Sequence, residues 1–318
     1  MKKSILGKHA TTLALAVVVS FAAALSAQAQ LAYEGFDYGD GVWLGNTNAG
    51  GYGWGASWYT GGQNVATNYN GSLSYSDGTY SLVTSGGHAV IGSYAPQSGT
   101  QQLQRNLAAN LTNLLGGGGT IWMSFLYQNW TTDSAGRAGF RQAQMMMTKT
   151  ATTNANGTSN NNGTETVDVG SGNTYLNGVP ADKISLWGAS PVGQPYAQQS
   201  SLTTPRGSST DPVFILMRFD LGTSTAADTV YVWVDPTLGS EPLTSTAIST
   251  NVWDLGALNG IRFAAGNQNT GGTNAVYAFD EIRVGLDFRS VAPIPEPAIF
   301  GLVAIGGLGL LALRRRRQ

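Results

Sequence analysis

Histidine is the side chain most often used to move protons near neutral pH. This chain has two, His9 and His88, and no cysteine to add a thiolate. His9 lies in the basic start of the chain and His88 in "TSGGHAV", at a turn-to-strand junction, so neither has the partners that a zinc centre or a nucleophile–histidine triad requires. Glycoside hydrolysis needs two carboxyl groups facing each other across a cleft. Glu34, Asp37 and Asp40 follow one another at intervals of three, which scatters them between the two faces of a strand. These residues predict no catalytic constellation, and the chain reads as a protein that is not an enzyme.

Two kinds of binding chemistry remain. In "AVYAFDEIRVG" the alternation of a strand places Asp280 on the face that holds Val276, Ala278, Ile282 and Val284, with Glu281 and Arg283 on the other. An inward carboxylate needs compensation, either from an arginine such as Arg218 or Arg262, from turn amides, or from a calcium ion with further oxygen ligands. If the first and last strands adjoin, Glu34 is the second calcium ligand. The other chemistry is aromatic. Trp43, Tyr52, Trp54, Trp58 and Tyr59 crowd the Gly-rich stretch "VWLGNTNAGGYGWGASWY", where rings can stack on sugar faces while Asn and Gln supply hydrogen bonds; the same rings can equally cover one end of a core. Tyr231 and Trp233 share one strand face opposite Val230, Val232 and Val234. With the valines inward, they form a second sugar platform.

The elements that must position these residues are strands. Short runs rich in Val, Ile, Phe, Tyr, Trp and Thr alternate with Gly/Asn/Ser/Asp clusters: residues 120–127, 213–220, 229–234, 260–264 and 275–284. Leu103, Leu107, Leu111 and Leu114 fall at helical spacing, predicting a short helix over 106–115, although 103–107 can equally close a strand. Residues 154–166, "NANGTSNNNGTET", form a polar low-complexity loop, and no repeat of solenoid or propeller length is visible. One large all-β domain, an antiparallel two-sheet β-sandwich over residues 30–292, follows. That segment carries 17 Asp/Glu against 10 Lys/Arg, a net charge of minus seven, with no basic stripe suited to nucleic acid.

The two ends have a different composition. Lys2, Lys3 and Lys8 precede an apolar run from Leu13 to Leu25 and the small-residue box Ala27-Gln28-Ala29, the pattern of a secretory signal peptide over residues 1–29. At the other end, residues 293–318 hold Pro295-Glu296-Pro297, an apolar stretch over 298–313 and Arg314, Arg315, Arg316 and Arg317. Sixteen helical residues cover roughly 24 Å, enough to cross a bilayer with modest thinning. The arginines would stop transfer on the cytoplasmic side and leave the body outside. This order of triplet, apolar helix and arginine cluster resembles the PEP-CTERM sorting signal. The resemblance implies that an exosortase acts at the triplet while the chain sits in the inner membrane, and that the product goes to the cell surface or extracellular matrix.

"YEGFDY", "VYVWVDPTLGSEP" and "YAFDEIRVG" resemble laminin-G-like, concanavalin-type jelly rolls. That resemblance implies adjoining first and last strands and a lectin-like fold, many of whose members bind carbohydrate. The acidic strand pattern Glu-x-Asp-x-x-Glu of the glucanases with that fold is absent. The chain is therefore expected to be an exported, non-enzymatic surface protein with extracellular polysaccharide as a candidate partner. A carbohydrate-binding module with one defined glycan and a glycan-degrading enzyme are the competing expectations.

Overall fold

The computed structural model describes residues 30–45, 49–61, 66–92, 99–108, 117–130, 141–148, 166–171, 183–188, 197–205, 209–223, 228–253, 255, 260–267 and 276–295. Residues 1–29, expected to be a signal peptide, Glu296, Pro297, the apolar stretch 298–313 and Arg314–Arg317 lie outside them. Among the described residues no helix is long and apolar enough to cross a membrane.

Among the described residues fifteen strands form two antiparallel sheets. The first contains β1 (Gln30–Glu34), β3 (Ala66–Asn70), β4 (Gly87–Gly92), β6 (Gly119–Asn129), β11 (Val213–Leu221), β12 (Asp228–Val234), β13 (Ile248–Trp253) and β15 (Val276–Gly285). Its order is β13-β12-β11-β6-β15-β4-β3, with β1 also paired to β15. The second runs β10-β9-β8-β7-β14-β5-β2. Its strands are β2 (Tyr59–Gly61), β5 (Gly99–Asn106), β7 (Arg141–Thr148), β8 (Thr166–Ser171), β9 (Lys183–Gly188), β10 (Ala197–Pro205) and β14 (Gly260–Asn267). The five runs read as strands from composition are all strands. Leu103 lies within β5 and Leu107 in a bridge just beyond it, while residues 109–116, most of the expected helix, lie outside the described residues.

The sheets close on one main core. Met123, Phe125 and Tyr127 from β6, Ile215, Met217 and Phe219 from β11, and Val230 and Val232 from β12 meet Met145, Met147, Val167, Val169, Ile261 and Phe263 from the second sheet. The period of two is why these strands alternate as they do. The first sheet also has a second buried face. Leu73, Leu82, Leu238 and the short helix α1 (Phe288–Val291) cover Val90, Trp122, Leu126, Phe214, Leu216, Trp233, Val276 and Ala278. Burial on both faces accounts for the unbroken apolar run Val213–Met217.

The expected face of β15 is corrected by a bulge. Against β6, Asp280 faces Leu126 and Arg283 faces Ser124, so three steps on β15 meet two on its partner, and Glu281 takes φ 53°. The extra residue exchanges the faces. Tyr277 and Phe279 point into the main core before it, Ile282 and Val284 after it, and Val276, Ala278 and Asp280 point the other way. The bulge also divides one edge of β15 between two partners, β4 for Val276–Phe279 and β1 for Ile282–Gly285.

Candidate functional site

The Gly-rich stretch after β1 is fixed against that strand by two bonds at 3.0 Å, from the Tyr33 amide to the Tyr52 carbonyl and back. Gly51 has φ +68°, and a Cβ there would lie 2.1 Å from the Tyr33 carbonyl oxygen, so glycine is required for this approach. Trp54 Nε1 donates to the same oxygen at 3.0 Å. A cavity of about 300 Å³ opens beside this turn, lined by Tyr52, Trp54, Ser57 and Arg105 together with Ala49, Gly51, Gly55 and Ala56.

Arg105, on β5, organises the cavity floor, and its role was not read from the sequence. Its Nε donates to the Ala56 carbonyl at 2.6 Å, and its Nη1 to Glu34 at 2.5 Å and to the Gly50 carbonyl at 2.8 Å. The guanidinium carbon stands 5.4 Å from the ring centroids of both Trp54 and Trp58. Desolvation by burial lowers the Arg105 pKa, and the Glu34 charge opposes that shift. Glu34 is saturated: it also accepts from the Phe36 amide at 2.9 Å, Tyr38 Oη at 2.7 Å and Trp58 Nε1 at 3.0 Å. Burial first, then the Glu34 charge, drives the Tyr38 pKa upward.

The five aromatic residues divide between the two alternatives. Tyr52 is 47 % exposed and Trp54 half-buried, both on the cavity wall, and Trp43 is 44 % exposed in a bridge to Thr67. Trp58 is 0 % exposed and stacks on Phe36 at 5.5 Å, so as a sugar platform it is corrected to core. Tyr59 is half-buried on β2, beside Gln104 of β5. The Tyr231/Trp233 platform is corrected too. The valines do point inward, but Trp233 is 4 % exposed, donates to the Leu243 carbonyl at 3.1 Å and stacks between Trp122 at 5.7 Å and Tyr231 at 6.0 Å. Arg218 lies over Trp122 and Tyr231 and pairs with Asp220, so it is not the partner of Asp280; Arg262 bonds Gln104.

Asp280 takes the turn-amide option. It accepts from Leu73 N at 2.8 Å, Ser72 Oγ at 2.6 Å and Glu281 N at 2.7 Å. Glu281 accepts from Ser85 N at 2.6 Å, Ser72 Oγ at 3.0 Å and Tyr33 Oη at 3.2 Å, and pairs with Arg283. Ser72 thus offers one hydroxyl proton to two buried carboxyl groups. Burial, and then the neighbouring Glu281 charge, raises the Asp280 pKa well above the carboxylate range; burial also raises that of Glu281. Burial and Glu281 together push Tyr33 up to about 12. Glu34 and Asp280 therefore serve two separate networks, each already filled by protein donors. Among the described residues no group of three or more His, Asp or Glu is placed to hold a metal ion.

No family model matches the chain, and no curated protein matches it. Among solved structures it is similar to an endo-β-1,4-glucuronan lyase from the fungus Trichoderma reesei, at 10 % identity and TM-score 0.44 over 85 % of this chain and 100 % of that one. It is also similar to a botulinum neurotoxin type C structure, at 9 % identity and TM-score 0.44 over 85 % of this chain but only 51 % of the toxin chain. A third is the alginate lyase Aly36B, at 9 % identity and TM-score 0.40 over 70 % of this chain and 98 % of that one. The sandwich assignment rests on the two antiparallel sheets themselves.

Proposed function

We propose that the chain is an exported surface or matrix protein, sorted by an exosortase through its PEP-CTERM tail, whose β-sandwich binds extracellular polysaccharide without cleaving it. The observation that carries the binding half is the cavity at residues 49–57. Two accessible aromatic side chains, Tyr52 and Trp54, stand with Ser57 beside a guanidinium whose charge Glu34 already balances. Such a surface suits a sugar ring, with an apolar face to stack and hydroxyls to bond. The carboxyl group beneath it is buried and saturated with donors, and the phenol of Tyr52 on the wall donates to Gln30 Oε1 at 2.6 Å and has its pKa raised by burial, which disfavours a proton-transfer role. The sorting half is supported by the sequence of the tail and by Pro295, which emerges exposed from the end of the packed body.

Affinity electrophoresis of the full-length protein, solubilised in a detergent without a sugar headgroup, tests the binding half. Retardation in at least one polysaccharide gel is expected, falling in Trp54→Ala, with no reducing sugar or unsaturated product released. Turnover of any polymer would remove the non-enzyme reading, and absence of retardation in every gel would remove the binding reading.

A further inference from the structure

The hydrogen bonds around the cavity at residues 49–57 are unevenly spent. Its turn carbonyls are occupied: Gly50 and Ala56 accept from Arg105, Tyr52 from the Tyr33 amide at 3.0 Å and Gly53 from the Ala108 amide at 3.1 Å. The Tyr33 carbonyl takes both the Tyr52 amide and Trp54 Nε1. A pair of donors is left on Arg105. Its single Nε hydrogen goes to Ala56 and its Nη1 hydrogens go to Glu34 and Gly50, so the two hydrogens of Nη2 have no acceptor among the described residues. Tyr38 Oη also lies near the guanidinium and supports its charge, but it gives its own proton to Glu34. Arg105 is 4 % exposed and lines the cavity, and Nη2 is not enclosed in the way that the partnerless Nη1 of Arg283 is. Nη2 is therefore the edge of Arg105 that the cavity presents.

A carboxylate or sulfate is held best by two neighbouring guanidinium nitrogens. Both pairs that include Nη2 contain a nitrogen already spent, so this arginine has no fork to offer. Glu34 balances its charge and the body around it is acidic, so an anion gains little here. A neutral oxygen that only accepts fits better. An amide carbonyl is such an oxygen, whereas a hydroxyl brings a hydrogen to a wall whose carbonyls are occupied. The Trp54 ring centroid lies 5.4 Å from the guanidinium carbon, which sets an apolar face next to the donor. An acetamido group carries both counterparts on one carbon, a carbonyl oxygen and a methyl. Its N–H points away from the carbonyl across the trans amide and does not face the guanidinium. The cavity, at about 300 Å³, lies at the small end of ligand pockets and suits a single sugar ring with its substituent.

We propose that the cavity reads the acetamido group of an N-acetylated hexosamine, the carbonyl oxygen accepting from Arg105 Nη2 and the methyl resting on Trp54. This rests on the polysaccharide-binding reading of the same cavity and names the sugar class that it selects. The bond to a charged donor and the buried methyl together favour the acetamido sugar by about tenfold or more over the hexose with a hydroxyl in that place.

Saturation-transfer NMR of the full-length protein, in a deuterated detergent without a sugar headgroup, tests the proposal. The probes are the methyl glycosides of N-acetylglucosamine, N-acetylgalactosamine and N-acetylmannosamine against those of glucose, galactose, mannose and glucuronate. At least one acetamido glycoside is expected to bind about tenfold or more tightly than its hydroxyl counterpart, with the acetyl methyl receiving the strongest saturation. Trp54→Ala should abolish both the preference and the methyl signal. Arg105→Lys keeps a cation beside Glu34 and should abolish the preference as well; because Arg105 also ties down the turn, Trp54→Ala carries the test if the lysine variant does not fold. Equal binding of acetamido and hydroxyl sugars, tighter binding of glucuronate, or a preference that survives Trp54→Ala would overturn the proposal. When polymer retardation is preserved and depends on Trp54 but no acetamido preference appears, the acetamido reading falls and the cavity reading stands. Absence of both retardation and glycoside binding removes the two together.

Discussion

Two tryptophans four residues apart show how little residue type decides. Trp54 and Trp58 both lie 5.4 Å from the Arg105 guanidinium, yet one lines a cavity and the other is enclosed by Phe36, Phe263 and Glu34. Trp58→Ala should therefore cost about 3–5 kcal/mol by emptying a core position, and more by depriving Glu34 of a donor. Trp54→Ala should unfold in denaturant close to the parent while losing glycan retardation; equal destabilisation by both would remove the division. The Asp280–Ser72–Glu281 group makes a sharper residue-scale prediction. Raised folded pKa values contribute stability that is complete below the unfolded carboxylate range near pH 4 and is lost as pH rises through the folded values. The loss amounts to about 1.4 kcal/mol for each unit of separation. His88, whose pKa burial lowers, bends the curve the other way below about pH 6.5, so the readout is the difference between the parent and Asp280→Asn. Melting temperatures from pH 4 to 8 should fall more steeply in the parent, with the Asp280→Asn variant ahead at the alkaline end. Parallel profiles would mean that no proton is held there.

At the scale of elements, what was legible in the sequence followed from periodicity. Runs such as Thr229–Val234 alternate because one face meets the main core, and the inward valines of β12 could be read directly. The bulge at Glu281 could not, because one extra residue leaves composition unchanged and reverses every face beyond it. The platform at Tyr231 and Trp233 failed for a related reason. Nothing local to β12 shows that the Leu243 carbonyl and the Trp122 ring will meet Trp233 on its outer side. Arg105 was missed because its partners Glu34, Gly50 and Ala56 are 49 to 71 positions away. The aromatic cavity was half legible, since its rings and glycines are contiguous while its floor is not. Its wall depends on Gly51, where alanine would meet both a positive φ and the Tyr33 carbonyl oxygen. Gly51→Ala should detach the turn from β1, cost about 1–3 kcal/mol and weaken glycan retardation together with the melting temperature. A variant that binds as tightly as the parent would show that the turn does not shape the site.

For the whole molecule, the question is where the packed body stops and the proposed sorting tail begins. The packed structure continues past residue 292: the Val83 amide donates to the Pro293 carbonyl at 2.9 Å, and Ile294 rests on the outer cluster. Helix α1 is pinned by the Asp287 capping box, by Ser124 Oγ on the Val291 carbonyl at 2.6 Å and by Arg289 on the Leu238 carbonyl at 2.9 Å. Pro295 is exposed, so the triplet begins one residue after the last packed side chain. A tail attached so closely gives two different results when shortened. Ending the chain at Pro295, as the proposed processing at the triplet would, should leave the melting temperature within about 2 °C of the full-length protein, because no described contact is removed. Ending it at Leu286 strips Phe288, Val291 and Ala292 from the outer cluster. Buried side chains of this size cost about 3–5 kcal/mol for the phenylalanine alone, a large part of the 5–15 kcal/mol that usually holds a domain together. That shorter chain should aggregate on expression. In cells with an exosortase, Glu296→Ala should accumulate uncut in the inner membrane with its body folded, detected as a protease-resistant core on the periplasmic side. Normal release of Glu296→Ala would remove the sorting assignment, and unfolding of the chain that ends at Pro295 would mean that the tail belongs to the body it is supposed to leave.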